Sequence, residues 1–381
     1  KVNVRVLAAT NKDLKHEIAE GCGDIVPGGV LPYQDSFITR ELLEYMSTFD
    51  FRIGTLECAI GNHFAYDERK MAKTKAIVFA RDEDLVKIQK MNINIVTLAN
   101  NHFSDLGLEG MVHTIEQLSQ KGILFCGAGK NFSEARKPAV INKDGRKIAF
   151  IGCCFRDVAP MIFHPATNTE YGIYQTDLEE IQQNIAEIKK NYDKVIVLPH
   201  WAEEHVFMPP SYCYEYAKKM IDAGADAIIG SHPHVVNPHT TYKGKDIFFS
   251  LGNFLFPDIC MDVPRPMFYP ASLNELEKTW AYPKNVDRQS LAIWKSFNRI
   301  GMIAEMQVAC KVKSKCKFVK LSQKNILGLY HSIGLNLHML FCGILLKFPF
   351  YGLIRKLYNH RMNVIRRFMI KQISSDVSVS I

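Results

Sequence analysis

The sequence predicts an α/β protein in which strands and helices alternate along most of the chain. Short apolar runs of strand length recur from residue 51 onward, and amphipathic helical stretches lie between them. Polar side chains able to bind metal ions follow these runs, as expected where the strands of an α/β sheet end and loops begin. Five of the 13 histidines fall between residues 200 and 239, so this chemistry is concentrated in one part of the chain.

The opening segment, residues 1–21, differs from the rest. Residues 2–9 alternate and then run apolar, which is typical of a strand. Asn11 or Asp13 is placed to cap a helix over residues 14–19, which Gly21 would end. The run VNVRVLAATNKDLKHEIAEG resembles a segment of bacterial enhancer-binding AAA+ transcription activators. The chain has no GxxxxGK[ST] phosphate loop, so we expect no ATPase activity.

After Gly21 the alternation becomes regular. Apolar runs predict strands at residues 51–56, 93–99, 148–154, 194–199, 227–229 and 246–249. Amphipathic spacing predicts helices at residues 38–46, 82–90, 108–121, 177–191 and 212–223. Two further apolar runs, at residues 300–308 and 316–321, predict closing strands.

Residues 326–381 form a tail of a different kind. Residues 334–354 have only His338 and Lys347 as possible charges, and Pro349 interrupts them. Basic residues then follow without an acid as far as Lys371. Three placements stay open: a membrane-spanning helix, a helix in the membrane interface, and a helix packed on the core or a partner. The predicted divisions of the chain are 1–21, 22–325 and 326–381.

Composition favours a folded globular chain. The 381 residues are 47% hydrophobic and 23% charged, which permits a sizeable core. A formal charge of +8 is modest at this length and does not indicate nucleic-acid binding. The ten cysteines include no CxxC pair, so we expect reduced, buried thiols and no zinc–thiolate site. Residues 1–20 contain no secretion signal, and the expected location is cytoplasmic, with the surface of the inner membrane as an alternative.

Polar clusters follow the predicted strands repeatedly. They are GD at 23–24, E at 57, NNHFSDLG at 100–107, HWAEEH at 200–205, GSHPH at 230–234 and SLGNF at 250–254. Carboxylates, imidazoles and an amide together suit divalent ions such as Mn²⁺, Zn²⁺ or Fe²⁺. Two such ions about 3.5–4 Å apart can activate a water and hold both the attacking and the leaving oxygen.

Each cluster taken alone has an ordinary structural explanation. A Gly–Asp pair is usually a turn, Glu57 could cap a helix or face solvent, and His200 could be a half-buried core histidine. The pair His232 and His234 is more informative, because alternate residues of an extended loop direct two imidazoles to one centre. The succession of such clusters at strand ends within one domain is what favours a metal site.

The order of these motifs resembles that of the CapA, or poly-γ-glutamate capsule-synthesis, family. The matching runs are GD, LE at 56–57, LANNHFSDLG at 98–107, GAG at 127–129, HWAEEH, GSHPHV and SLGNFLF, over roughly residues 22–256. The family is similar to the calcineurin-like metallophosphoesterases, and the run at 101–107 resembles its counterpart in 5′-nucleotidases. The resemblance implies a metallophosphatase-like four-layer α/β/β/α sandwich, followed here by a hydrophobic and basic helical tail.

Carried over residue by residue, the resemblance implies a dinuclear site. Six side chains would bind two divalent ions, Mn, Zn or Fe: Asp24 and His234 for one, Asn101, His200 and His232 for the other, and Glu57 for both. The catalytic residues would be His102 as general acid, Asp105 orienting it, and Glu204, which matches the acid of the family's HWGxE pattern. Substrate would contact Asn100, Trp201, Ser231 and Asn253, with Trp201 as a pocket wall.

The sequence departs from the family pattern at three points. Ile25 and Val26 follow Asp24, so the histidine of the usual Asp-x-His is missing. Ala202 stands where the family usually has Gly. The residues from Lys15 to Cys22 have a helical pattern, whereas the family has an apolar strand leading into Gly–Asp. We therefore expect that strand to be absent or to be supplied by residues 2–9.

The leading hypothesis is a divalent-metal hydrolase serving the synthesis, release or trimming of a capsule or poly-γ-glutamate polymer. Both a phosphoester and an amide remain open as the bond cleaved. The alternative is a non-catalytic scaffold or assembly factor for a membrane-bound capsule-polymer synthase, and the irregular start of the domain favours it; a third is a truncated or chimeric product. Expected partners are the polymer or a phosphoester, a membrane synthase and a membrane surface contacted through residues 334–371, with no nucleic acid.

Overall fold

The computed structural model describes residues 18–62, 76–143, 145–156, 164–263, 265–274, 276–280, 287–307, 315–348 and 350–360 of the chain. The strand predicted at 2–9 and the first four residues of the helix predicted at 14–19 lie outside these ranges. Residues 361–371 of the basic tail also lie outside them.

Strands dominate the described chain. They are β1 (Ile18–Ile25), β2 (Phe51–Leu56), β3 (Ala59–Ile60), β4 (Phe79–Ala80), β5 (Ile95–Thr97), β6 (Leu124–Cys126), β7 (Ala128–Gly129), β8 (Ala139–Lys143), β9 (Arg146–Phe155), β10 (Gly172–Ile173), β11 (Gln175–Thr176), β12 (Lys194–His200), β13 (Ala227–Ile229), β14 (His239–Tyr242), β15 (Lys245–Phe248), β16 (Asn253–Leu255), β17 (Ile259–Met261), β18 (Glu277–Trp280), β19 (Ser290–Ile293), β20 (Ile300–Gln307), β21 (Lys315–Leu321) and β22 (Leu327–Tyr330).

The helices are shorter in total. They are α1 (Arg40–Met46), α2 (Val86–Lys90), α3 (Gly107–Gln120), α4 (Phe132–Ala135), α5 (Leu178–Lys189), α6 (Ser211–Asp222) and α7 (Ile333–Leu345), with 3₁₀ turns at Leu31–Tyr33 and Asp82–Leu85. Residues 351–360 are also helical. None of the described helices is both long and apolar enough to cross a membrane.

Two large sheets carry the fold. The first has eight strands in the order β22-β21-β20-β1-β2-β5-β6, with β16 also paired to β1. The second has seven strands in the order β11-β9-β12-β13-β15-β14, with β8 also paired to β9. β1, β2, β5 and β6 run parallel in the first sheet, and β9, β12, β13 and β15 run parallel in the second. The carboxyl ends of these strands therefore form one edge in each sheet.

Apolar side chains fill three spaces around the two sheets. Between the sheets, Phe51, Ile53 and Ile95 belong to one cluster with Phe150 and Ile196. A second cluster holds side chains of α1 and α3 with the first sheet, and a third holds side chains of α5 and α6 with the second sheet. Because helices cover each sheet on the side away from its partner, the layers are α/β/β/α, as predicted. β2 is covered on both faces, and all six of its residues are buried, Arg52 and Thr55 included.

Most predicted elements are confirmed, with shifts at their ends. Strands 51–56 and 227–229 occur with the predicted bounds. The strand predicted at 93–99 is shortened to β5, and the one at 246–249 begins and ends one residue earlier as β15. The helix predicted at 82–90 begins with a 3₁₀ turn before α2. The helix predicted at 38–46 begins at Arg40, because the Thr39 side chain accepts the Leu42 N–H and caps it.

The start of the domain corrects the sequence-based prediction. Residues 18–25 form β1, which is hydrogen-bonded between β2 and β20, so the prediction of a helix through Ala19 and of a missing first strand is wrong. Local sequence misled because Glu17 and Glu20 give the segment a helical polar pattern, whereas strand pairing on both sides decides its structure. β1 contains Gly23 and Asp24 near its carboxyl end. A side chain at Gly23 could not fit, since its Cβ would lie 1.9 Å from the Gly252 oxygen.

The predicted divisions of the chain cross paired strands. The division between residues 21 and 22 falls inside β1, and the first sheet continues past residue 325 into β22. The three-part division itself stays a prediction.

Two loops, after β12 and after β13, contain residues other than glycine with a positive φ. Seven described residues other than glycine have a positive φ, and four of them are Ala202, His205, His232 and His234. Left-handed backbone at non-glycine residues costs free energy and tends to concentrate at functional sites. Ala202, with φ of 70°, occupies the position where the resembled family has Gly, so the family's glycine is explained by the backbone this loop requires.

Replacing Ala202 by Gly should therefore stabilise the protein. We expect the free energy of unfolding to rise by about 0.5–1 kcal/mol, because glycine adopts a φ of 70° without steric cost. Urea unfolding of the two proteins measures the difference. Ala223→Gly is the matched control: Ala223 has φ of −74° at the end of α6, and this change should destabilise by a similar amount. Destabilisation by both changes would show that Ala202 is not strained.

The pH dependence of stability at buried Glu20 tests whether β1 lies in the interior of the fold. Burial raises the pKa of Glu20 from 4.5 to about 8, although the Cys22 thiol, which donates to Glu20 at 3.5 Å, and nearby Arg52 oppose the rise. The unfolded chain ionises Glu20 near pH 4.5, while the folded chain keeps it protonated to about pH 8. Glu20 therefore does not reduce the free energy of unfolding below pH 4.5. As the pH rises from 4.5 toward 8, that free energy falls, because only the unfolded chain can ionise this side chain readily.

We expect Glu20→Gln to raise the free energy of unfolding at pH 8 by roughly 2–4 kcal/mol and to have little effect near pH 4.5. Urea unfolding at both pH values provides the measurement. Glu44→Gln, at an exposed position of α1, should change neither value appreciably. An unchanged pH profile in the Glu20 variant would place this side chain in water and remove the support for an interior β1.

Candidate metal centre

Side chains from both sheets meet at the carboxyl ends of the parallel strands. Asp24 is the penultimate residue of β1, Glu57 follows β2, and Asn101 lies in the loop after β5. His200 is the last residue of β12, and His232 and His234 lie in the loop after β13. All six are buried. The six residues that the family resemblance predicts as metal ligands thus lie at strand ends, and for Asp24 that strand is β1, which the sequence did not predict.

Glu57 lies at the centre of these side chains. Its Oε1 atom is 3.7 Å from His200 Nε2 and 3.5 Å from His234 Nε2. Asp24 Oδ2 lies 3.5 Å from His234 Nδ1. On the other side, His200 Nε2 is 2.7 Å from Asn101 Oδ1. The His200 and His232 rings are adjacent, with centroids 4.6 Å apart.

Three overlapping groups of side chains have the spacing of metal ligands. One is Asp24, Glu57 and His234, and a second is Glu57, His200 and His232; in each, the ligand atoms lie within 4.8 Å of one another. Glu57 belongs to both groups. A third group, Glu204, His232 and His234, has the same spacing, so Glu204, predicted as a catalytic residue, is also placed to bind a metal.

The charge balance of this cluster suits cations. No donor among the described residues hydrogen-bonds to either oxygen of Asp24 or of Glu57, although all four atoms are buried. Buried carboxylates without partners are costly unless a cation compensates them. Burial raises the pKa of Glu57 well above its ordinary value, and Asp24 adds to the rise while His234 opposes it. Carboxylate, imidazole and amide ligands together fit Mn²⁺, Zn²⁺ or Fe²⁺.

The surroundings of His234 and His200 shift the pKa values of these two histidines in opposite directions. Burial alone would lower the pKa of His234, but Glu57 and Asp24 outweigh it and raise this pKa to about 10. Burial lowers the pKa of His200 well below its ordinary value, and the neighbouring His234 and His102 add to the effect. His200 is therefore neutral, the form in which histidine binds metal, whereas His234 would have to release its proton when a metal binds.

Polar residues next to the cluster orient its imidazoles. Ser231 Oγ is 3.1 Å from His200 Nδ1, and Asn253 Oδ1 is 2.9 Å from His234 Nδ1. Such bonds fix ring orientation and tautomer in metal sites. Ser231 and Asn253, predicted to contact substrate, therefore also hold two of the predicted ligands in place.

His102 and Asp105 form a separate pair beside the cluster. His102 Nδ1 is 2.6 Å from Asp105 Oδ2, and the same oxygen accepts the Val78 N–H at 2.6 Å. The contact fixes the orientation of the His102 ring through Nδ1 and does not involve Nε2. Asn100 shapes this loop, because its amide donates to the Leu56 oxygen and accepts the His102 N–H.

Trp201 has the contacts of a core residue. It is fully buried, donates its Nε1–H to the Phe249 oxygen at 2.9 Å, and packs against Phe155 and Phe249. In this position Trp201 supports the loop after β12, and its role as a pocket wall stays a prediction.

Sequence reasoning missed two residues beside His234. Asn298 donates to the His234 backbone oxygen at 2.8 Å, and its amide lies 3.1 Å from His205 Nδ1. The His205 ring is 6.0 Å from the His234 ring between centroids. His205 stood within the HWAEEH run and could have been noticed there. Asn298, just before β20, carries no motif, and only the folded chain brings it to the site.

Comparisons with known proteins identify a family for this chain. A family described as "Bacterial capsule synthesis protein PGA_cap" matches residues 8–258. The chain is 36% identical over 209 residues to "PGA biosynthesis protein CapA" of Bacillus subtilis, covering 54% of this chain and 53% of that protein. It is 32% identical over 245 residues to "Capsule biosynthesis protein CapA" of Bacillus anthracis, covering 61% and 58%. The chain thus spans between half and three-fifths of these relatives.

A crystal structure of a hypothetical protein from Thermus thermophilus aligns with 80% of this chain and 99% of its own, at 12% identity and a TM-score of 0.43. The fold described above does not depend on this likeness. None of the comparisons supports the resemblance of residues 2–21 to AAA+ activators, and the family match already covers residues 8–21. Because the match extends over two-thirds of the chain, the protein belongs to the bacterial capsule synthesis protein (PGA_cap) family.

Proposed function

We propose that this chain acts in the biosynthesis of a capsule polymer or of poly-γ-glutamate as a divalent-metal hydrolase of the metallophosphoesterase type. The observation that carries the proposal is the pair of ligand groups that share Glu57. The printed names of the relatives in Bacillus subtilis and Bacillus anthracis, which refer to PGA and capsule biosynthesis, support the biological context.

The proposed cofactor is a pair of divalent ions, Mn, Zn or Fe. Asp24 and His234 would hold one ion, Asn101, His200 and His232 the other, and Glu57 would contact both. Two ions so held supply an activated water and neutralise the charge that develops on the scissile group. Glu204 would either complete the ligand set near His232 and His234 or bind the substrate.

His102 is the proposed general acid. Asp105 is fully buried and holds Nδ1, which fixes the ring and leaves Nε2 to deliver a proton to the leaving group. The Val78 N–H that also donates to Asp105 Oδ2 keeps that carboxylate in place. Asp105 is therefore a positioning residue, and proton transfer would occur at His102.

Two scissile bonds stay under consideration. A γ-glutamyl amide accords with the names of the relatives, whereas a carboxylate-bridged pair of ions suits a phosphoester. Both reactions require a proton on the leaving atom, so the proposed roles are the same for each. Hydrolysis assays with a phosphoester and with a γ-glutamyl amide distinguish the two possibilities.

The alternative is a scaffold or assembly factor for a membrane-bound polymer synthase. The apparent lack of a first strand favoured it on sequence grounds, but β1 is present and pairs Asp24 with Thr55 of β2, which removes that argument. A scaffold also has no need of four buried carboxylate oxygens that accept no hydrogen bond. A membrane synthase remains a proposed partner for either function.

His102→Gln should act most strongly on substrates with a poor leaving group. For the metal-loaded protein, we expect kcat to fall at least about 100-fold with an alkyl phosphoester or a γ-glutamyl alkylamide, and far less with the p-nitrophenyl ester or p-nitroanilide. The reason is that p-nitrophenolate and p-nitroanilide depart with less help from an acid. Steady-state hydrolysis of the four substrates, together with metal content, is the measurement.

His113→Gln is the matched control, because His113 pairs with Asp82 at 2.8 Å outside the three ligand groups and should keep full activity. Equal losses on good and poor leaving groups would remove His102 from the role of general acid. A folded, metal-loaded parent that hydrolyses neither substrate class would favour the scaffold.

A further inference from the structure

The carboxyl-terminal part of the chain is strongly and exclusively basic. Residues 306–375 contain 13 of the 47 lysines and arginines and none of the 39 acids. The remainder of the chain then holds 34 basic and 39 acidic residues and is slightly acidic. The overall charge of +8 thus conceals two regions of opposite sign.

Within this basic region, α7 and residues 351–360 form two consecutive helices, here called the terminal helical pair. One face of the pair packs on the domain. Met339, Cys342, Leu346 and Tyr351 are buried, and they join the clusters between the sheets and on the outer side of the second sheet.

Hydrogen bonds also fix the terminal helical pair to the loop after β12. The Tyr351 hydroxyl donates to the Pro209 oxygen at 2.5 Å, and Arg355 Nε donates to the Met208 oxygen at 3.2 Å. Asn359 accepts the Met208 N–H at 3.2 Å. This loop also carries Glu204 and His205, so the pair is attached to the part of the domain that holds the metal centre.

The other face of the terminal helical pair is apolar and open to solvent. Of the 13 large hydrophobic side chains exposed in the described chain, nine belong to it or to its turn: Ile333, Leu337, Leu340, Phe341, Ile344, Phe348, Phe350, Leu353 and Leu357. Ile333 is 80% exposed and Phe350 74%. Lys347 and Lys356 are exposed beside them. An apolar surface of this extent marks an interaction site.

We propose that this face binds the surface of an anionic lipid bilayer. A face that combines apolar side chains with cations matches a membrane interface, where the apolar groups enter the acyl boundary and the cations meet lipid phosphates. α7, with 13 residues, is too short to cross a bilayer, so the pair lies along the surface. Docking of a second copy would bring two such basic regions together, which charge repulsion disfavours.

Co-sedimentation of the full chain with vesicles tests this proposal. We expect binding to vesicles of phosphatidylcholine that contain phosphatidylglycerol, weaker binding to phosphatidylcholine alone, and a loss of affinity as salt is raised. The combined change Leu340→Gln and Phe341→Gln should weaken binding at least about tenfold. Lys347→Gln with Lys356→Gln should weaken binding to the anionic vesicles about fivefold for each charge removed, with little effect on neutral vesicles.

The control places the same substitution on exposed apolar residues elsewhere. Val86 and Leu108 are 60% and 56% exposed, and Val86→Gln with Leu108→Gln should bind like the parent. Phe341→Trp adds a reading that preserves the apolar face: its emission should shift to the blue when anionic vesicles are added. This reading keeps the test decisive even where the double glutamine variant does not fold.

Three results would overturn the proposal. The first is a folded parent protein that does not bind anionic vesicles. The second is a double variant at Leu340 and Phe341 that binds them as tightly as the parent does. The third is a parent that sedimentation equilibrium shows to be a dimer while the same double variant is a monomer, which would assign the face to a contact between two copies of the chain. None of these measurements depends on bound metal or on hydrolysis, so their failure would leave the proposed function untouched.

Discussion

The site depends on the burial of two carboxylates whose oxygens accept no hydrogen bond from the described residues. Asp24 and Glu57 come from neighbouring parallel strands of the first sheet, and both are fully buried. The histidines that face them, His200 and His234, come from the second sheet and its loop. A cation between these groups would join the two sheets at the edge where their strands end. Metal binding would therefore stabilise the packing of the two sheets as well as provide the site.

The backbone around the cluster is specialised accordingly. His232 and His234 adopt left-handed backbone, with φ of 97° and 54°, which lets a short loop after β13 turn both imidazoles inward. Gly23 lets β1 pass close to the Gly252 backbone, so that Asp24 can approach the same centre. Ser231, Asn253 and Asn298 then hold the histidines by side chain or by backbone. The cost of strain is concentrated where binding could offset it.

Much of the fold followed from sequence because apolar strands with helices between them leave a strong pattern. The ligand set came from the family resemblance, and five of its six members stand at strand ends that the sequence pattern also predicted. β1 could not be recognised, because its polar segment at 18–21 is a strand only through pairing with β2 and β20. Asn298 could not be found either, since it reaches His234 across 64 residues and belongs to no motif.

Metal content, measured by elemental analysis of the purified chain, tests the central claim most directly. We expect about two equivalents of a transition metal in the parent and in His113→Ala, and loss of this metal when His200→Ala and His232→Ala are combined. The reason is that His200 and His232 share one ligand group with Glu57, which also belongs to the group of Asp24 and His234. If the folded parent binds essentially no metal in supplemented buffer, the buried carboxylates are not a metal centre, and the hydrolase proposal fails with it.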